Sequence, residues 1–247
     1  MTSFFKSHCY WPFVFFVLLF FGILTCYGIS VTSHHVPSLP EWPFVSDTGV
    51  ATPERCIFTL LFSMAAFACL VTMYLYYKYV IHQHHQTKTN KAALVVGCVV
   101  CFGMVMVGAF QWTVVLVPHM IGAFLACGGA TLYSWLIVHI SRRQLAPKVH
   151  GMGVVYCRMV IALVESIAAT LFLVALVLWK VNEKYRSFAA IAEWILIYGA
   201  ILFLLTLVYD LRRIKDTSLD LVLHTDYTVT SPVSAKEDDR LNEVSVT

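Results

Sequence analysis

The stretch GVVYCRMVIALVESIAATLFLVALVLW, residues 153–179, decides the fold. It holds two charged side chains, Arg158 and Glu165, among residues that are otherwise mostly apolar or small. Coiled into a helix at about 1.5 Å per residue it is about 40 Å long. The apolar core of a bilayer is about 30 Å thick and takes about 20 helical residues. Lipid offers backbone N–H and C=O groups no partner, so a segment that crosses it is helical. Five further stretches qualify, at approximately 11–32, 56–80, 92–111, 114–140 and 189–211. The expected fold class is therefore all-α: a polytopic membrane protein with six transmembrane helices within residues 1–213.

Composition agrees. Of 247 residues, 59% are hydrophobic and 13% charged, against about 25% charged in soluble globular chains. Too little charge is present to clothe a water-facing surface. The net charge of +3 and the lack of a long basic tract give no reason to invoke nucleic acid. The first apolar stretch is longer than a signal peptide's core of about 7–15 residues. Trp11 and Tyr27 stand at its ends like interface anchors, so it is read as a retained helix. The eight cysteines lie mostly inside apolar runs and read as small hydrophobes rather than a disulfide set. Cys98 and Cys101 are read the same way, in preference to a redox or metal pair. His82, His84 and His85 are read as a solvated loop, with no carboxylate or thiol beside them to complete a metal site. No cofactor motif is present, and no catalytic signature.

Lys and Arg near the helix ends set orientation. One side holds ten: Lys6, Lys78, Lys88, Lys91, Arg142, Arg143, Lys148, Arg212, Arg213 and Lys215. The other holds four: Arg55, Lys180, Lys184 and Arg186. The ten-residue side is expected to be cytoplasmic, with both termini on it. Residues 214–247 are polar and read as a disordered cytoplasmic tail, with Ser231 before Pro232 a candidate phosphorylation site. Residues 33–55 form the longest connection on the opposite side, stiffened by Pro37, Pro40, Pro43 and Pro53.

Ionisable groups inside lipid are costly and therefore candidates for function. Arg158 and Asp210 fall at similar depth on consecutive helices and suggest an ion pair. His119 and Glu193 share the opposite depth and suggest a hydrogen bond. Glu165, seven residues after Arg158 and about 10 Å deeper, has no obvious partner. Two readings stand: these groups lock helices together, which is preferred, or they line a polar path or ligand site. Gly122, Ala126, Ala130 and Ser134, and likewise Ala162, Ser166 and Thr170, recur every fourth residue and read as stripes for close helix packing.

One group of motifs carries a resemblance. Ser46-Asp47-Thr48-Gly49, then Pro53-Glu54 and Phe58, resembles the first-loop signature of the DNA-damage-regulated autophagy modulator (DRAM) family, within the wider Frag/DRAM/Sfk superfamily. His34-His35, Asn90-Lys91-Ala92, Phe110-Gln111, His119, Gly122-Ala123, Pro147 to Gly151, Ala192-Glu193-Trp194, Thr206 and Asp210 follow in order, over roughly residues 10–215. Physically, Asp47 and Gly49 suit a turn, with Gly permitting positive φ. Thr52, Pro53 and Glu54 suit a helix start: N-cap, first position, and a carboxylate on the dipole's positive end. The stretch is thus a rigid loop or a binding surface.

The resemblance implies a non-enzymatic multi-pass regulator of autophagy and lysosomal function, with apoptosis as an associated process. It implies residence in lysosomal or late endosomal membranes and partners among autophagy proteins, beside the lipid bilayer itself. The wider superfamily implies the alternatives: a regulator of phosphoinositide synthesis at the plasma membrane, or a lipid-modifying enzyme. A transporter or channel component is the remaining rival, with Glu165, Glu193 and His119 on its path.

Overall fold

The computed structural model describes residues 8–37, 40–84, 87–145 and 151–213. The tail over 214–247 lies outside the described residues, as do His85 and residues 147–150 of the Pro147–Gly151 motif.

Six helices are long and apolar enough to cross a membrane. They are α1 (Tyr10–Thr32), α2 (Glu54–His84), α3 (Lys88–Ala109), α4 (Leu116–Leu145), α5 (Met152–Trp179) and α6 (Tyr185–Leu211). At most 44% of any helix's most apolar window is buried within the protein. Leu60, Phe67, Val95, Phe102 and Val177 stand well exposed on outward faces. Apolar faces this extensive are covered by lipid.

Each helix packs on the next in sequence, and α6 returns to α1 to close the ring, as short connections between antiparallel neighbours require. Helix α3 begins at Lys88 because Thr87 caps it, its hydroxyl accepting the Asn90 amide. The α3–α4 hairpin is tight: Val114 and Val115 amides both reach the Gln111 carbonyl, at 3.1 and 2.9 Å. Pro118 sits in the first turn of α4, where a missing N–H costs no helical bond.

Two helices are irregular. Helix α4 widens into π turns at Phe124–Gly128 and Ser141–Leu145. Helix α6 breaks after Leu205 and resumes at Val208. The α3–α4 interface is a close backbone approach: a Cβ on Gly103 would lie 2.5 Å from the Ala126 amide nitrogen and 2.7 Å from the Gly122 carbonyl. Here the first small stripe acts as expected. Its lower members, Ala126, Ala130 and Ser134, line an interior cavity as well. In the second stripe Ser166 faces α4, where Trp135 Nε1 donates to its Oγ at 2.9 Å, whereas Thr170 is exposed.

All eight cysteines are free; Cys101 is buried and Cys98 faces outward, so the two are not a pair.

Candidate functional site

Polar groups gather at two ends of the bundle. At the end carrying residues 33–53, the segment 42–49 forms a lid. It turns through a short 3-10 helix, Ser46–Gly49, whose Asp47, Thr48 and Gly49 are buried. Asp47 is its hub. Oδ2 accepts the Phe44 amide at 2.9 Å and an Arg186 guanidinium N–H at 2.6 Å. Oδ1 accepts Trp112 Nε1 at 3.0 Å. One carboxylate therefore ties together the first loop, the α3–α4 hairpin and the first turn of α6. Arg186 lies over the Phe44 and Trp179 rings, 5.3 and 5.8 Å from their centroids, an arrangement that suits a planar cation.

From below, α6 holds the lid by two adjacent residues. Glu193 Oε2 accepts the Val45 amide at 2.6 Å, and Trp194 Nε1 donates to the Pro43 carbonyl at 2.9 Å. Trp194 also packs edge-on against Tyr27 and Trp42. On the α1 side, fully buried Glu54 pairs through Oε1 with His35 Nδ1 and accepts the Ser30 hydroxyl, 3.0 Å away.

Three sequence expectations change here. His119 and Glu193 do not bond to each other. His119 Nδ1 bonds the Phe110 carbonyl at 2.6 Å and so staples the α3–α4 turn, whereas Glu193 takes the lid amide. Gly49 does not have positive φ; no described glycine does. The position needs glycine because a Cβ there would fall 2.5 Å from Phe58 Cγ. Pro53 is not inside the helix: α2 starts at Glu54, and the Pro53 carbonyl accepts the Cys56 amide at 3.1 Å. The Thr52–Pro53 peptide is cis. Glu54 lies in the first turn, as expected, and its carboxylate also reaches Ser30 of α1 and His35.

At the other end, Arg158 is fully buried and joins four helices. Nη1 donates to Ser141 Oγ on α4 at 2.7 Å; Nε and Nη2 reach Thr206 Oγ1 and the Thr206 carbonyl at 3.0 and 3.1 Å; Nη2 pairs with Asp210. Its guanidinium lies 5.9 Å from the Tyr76 centroid on α2. The expected Arg158–Asp210 pair is present, and the break in α6 presents the Thr206 carbonyl to it. Between the two ends, Glu165 is fully buried, and its carboxylate lies beside the Ser134 hydroxyl of α4 without a hydrogen bond of full geometry. It packs under Gly199, whose added Cβ would stand 3.0 Å from Glu165 Cγ.

A partly open cavity of about 90 Å³ lies among the helices. Its lining includes Val45 and Ser46 of the lid, His119, Glu193, Met73, Met104 and Tyr133. Sequence reasoning missed Trp112, Arg186, Ser30 and Ser141. Arg186 read only as a charge for orientation and Trp112 drew no reading; nothing in their spacing announces a shared partner.

Six apolar helices, buried ionic clusters that bind their ends, and a lid stapled by Asp47, Glu193 and Trp194 define a polytopic membrane protein. The chain belongs to the Frag1/DRAM/Sfk1/Cwh43P family, whose N-terminal domain profile matches residues 8–214. It is 32% identical over 230 residues to human DNA damage-regulated autophagy modulator protein 1, covering 87% of this chain and 95% of that one. It is 30% identical over 211 residues to human DNA damage-regulated autophagy modulator protein 2, covering 76% and 78%. Human transmembrane protein 150A is 26% identical over 223 residues, covering 80% and 81%. No solved structure matches the chain.

Proposed function

We propose that the protein is a non-enzymatic regulator of autophagy and lysosomal function, resident in lysosomal or late endosomal membranes. The observation that carries this reading is the family match together with relatives at 30% and 32% identity that are named as autophagy modulators. The geometry supports it. Asp47, Glu54, Glu193 and Arg158 are engaged in closing the fold, as in a scaffold that presents fixed surfaces. Both termini face the cytosol in this reading, because ten Lys and Arg residues flank that side and four the other. The lid then faces the lumen, and autophagy-pathway proteins meet the cytosolic loops and tail.

Cells lacking the protein are expected to lose autophagic flux and lysosomal acidification under stress, with the wild-type copy restoring both. A tagged copy is expected on lysosomal markers. Unchanged flux and acidification in the deletion sink the regulator reading; plasma-membrane staining redirects it toward phosphoinositide synthesis.

Glu165 favours a second reading, a transporter or channel component, since an ionisable group without a full hydrogen bond at mid-membrane depth is a common mark of an ion path. Proteoliposomes with a pH or ion reporter decide it. Flux that Glu165→Gln abolishes promotes this reading, and absence of flux in the wild type removes it.

A further inference from the structure

Three sulfur side chains meet where α2 packs on α3. Cys69 and Met73 lie one turn apart on α2, and Cys101 stands on α3. All three are buried. Cys69 Sγ donates to Met73 Sδ at 3.8 Å and lies beside the Cys101 thiol. Met73 carries its sulfur across to α3: a Cβ on Gly97, one turn before Cys101, would stand 2.6 Å from Met73 Sδ. Gly97 thus leaves a niche that a thioether fills. A fourth sulfur, on buried Met104, one turn after Cys101, lines the partly open cavity together with Cys69 and Met73. Cys101 therefore finds its thiol neighbour on the preceding helix, not in the nearby Cys98.

We propose that Cys69, Cys101 and Met73 bind a soft monovalent cation, Cu(I), between α2 and α3. Ligand chemistry selects the metal. Thiolate and thioether sulfur favour Cu(I), whereas zinc builds its tetrahedron from thiolate, imidazole and carboxylate. Among the described residues no third Cys, His, Asp or Glu joins the two thiols in a metal-binding group. Zinc therefore lacks ligands here, while Met73 supplies a third donor suited to Cu(I). Met104, with its flexible thioether, is placed to swing in as a fourth. Charge agrees. One thiol gives up its proton as Cu(I) enters. Thiolate and cation then cancel, so the apolar interior gains no net charge, which it would resist. Space agrees as well. The cavity of about 90 Å³ reaches Cys69 and Met73 and takes a bare ion with room to spare. Cys69 lies midway along α2 between Glu54 and His84, so the ion would sit deep in the membrane and staple α2 to α3.

The site stands apart from the autophagy reading. Copper binding is measured on purified protein and flux in cells, so either can fail alone. The test uses the full-length protein in detergent, reduced, with the exposed thiols of Cys56, Cys98 and Cys157 capped by N-ethylmaleimide. It is titrated with Cu(I) in competition with bicinchoninate. One tight equivalent is expected, held by sulfur alone in X-ray absorption at the copper edge and not displaced by Zn(II). Cys69→Ala and Cys101→Ala are each expected to weaken it about a hundredfold or more, and Met73→Leu about tenfold, since even outer-shell changes at metal sites cost about 10–100-fold. Cys26→Ala, which removes a buried thiol elsewhere, is expected to change nothing. Should a cysteine variant fail to fold, Met73→Leu, which conserves volume, and the wild-type spectrum decide. An equivalent that keeps its affinity in Cys69→Ala, Cys101→Ala or Met73→Leu overturns the proposal. So does one that Cys26→Ala removes, that zinc displaces, or that nitrogen or oxygen ligates.

Discussion

A Cβ at Gly49 would stand 2.5 Å from Phe58 Cγ and 2.8 Å from Cδ1. Gly49→Ala is therefore expected to lower stability by about 1–3 kcal/mol, the usual cost of overpacking. Phe58→Leu in the same background should return part of it. Thermal unfolding of the detergent-purified protein checks both, and an unchanged midpoint for Gly49→Ala would show that the ring moves aside freely. The turn around Asp47 was legible in sequence, because Asp and Gly favour turns locally. The reason for glycine was not, since the ring that demands it belongs to the next helix. Glu165 behaves in the opposite sense. Its carboxylate is buried beside the Ser134 hydroxyl without a hydrogen bond of full geometry, a condition that costs a folded protein several kcal/mol rather than stabilising it. Glu165→Leu is expected to leave the unfolding midpoint unchanged or raise it. A clear drop would reveal a partner that the carboxylate depends on.

At the scale of elements, Arg158 links α5 to α4 and α6. Removing one member of a buried ion pair strands the other, at about 3–5 kcal/mol. Arg158→Met is expected to fall in that range, and Arg158→Met with Asp210→Leu to recover part of the loss, with chemical denaturation in detergent as the measure. If the double variant is no better than the single, the pair is not the source of the cost. This contact was legible in sequence because both residues sit at one depth on consecutive helices. The His119–Glu193 pairing was inferred by the same logic and does not form. Depth places two groups at one level, but rotation about each helix axis decides whether they meet. The Phe110 carbonyl and the Val45 amide, backbone groups left open by a turn and a lid, claim those side chains instead.

For the whole molecule, helix number and order follow from apolar length alone, because the bilayer imposes one thickness on every span. What ties the connections together is a side-chain junction: Asp47 binds residues 42–49, Trp112 and Arg186 at once. Residues so far apart in sequence share no local pattern, so the junction could not be read from spacing. Asp47→Ala is expected to speed hydrogen exchange in residues 42–49, the α3–α4 turn and the first turn of α6 together, as mass spectrometry of the exchanged protein would show. Faster exchange confined to residues 42–49 would mean that they open independently.

The widened turn at Phe124–Gly128 has an implication for sequence length. It is equivalent to one surplus residue looped into an otherwise regular coil. Taking one residue out of that segment should let the coil close up while Ser141 keeps its heading toward Arg158. Taking one out of Gly129–Ile140 should instead swing everything beyond it by about 100° and leave the guanidinium without its Ser141 acceptor. The first deletion is expected to express and fold, and the second to be degraded. Equal loss of both would show that the widening is not an insertion the helix can shed.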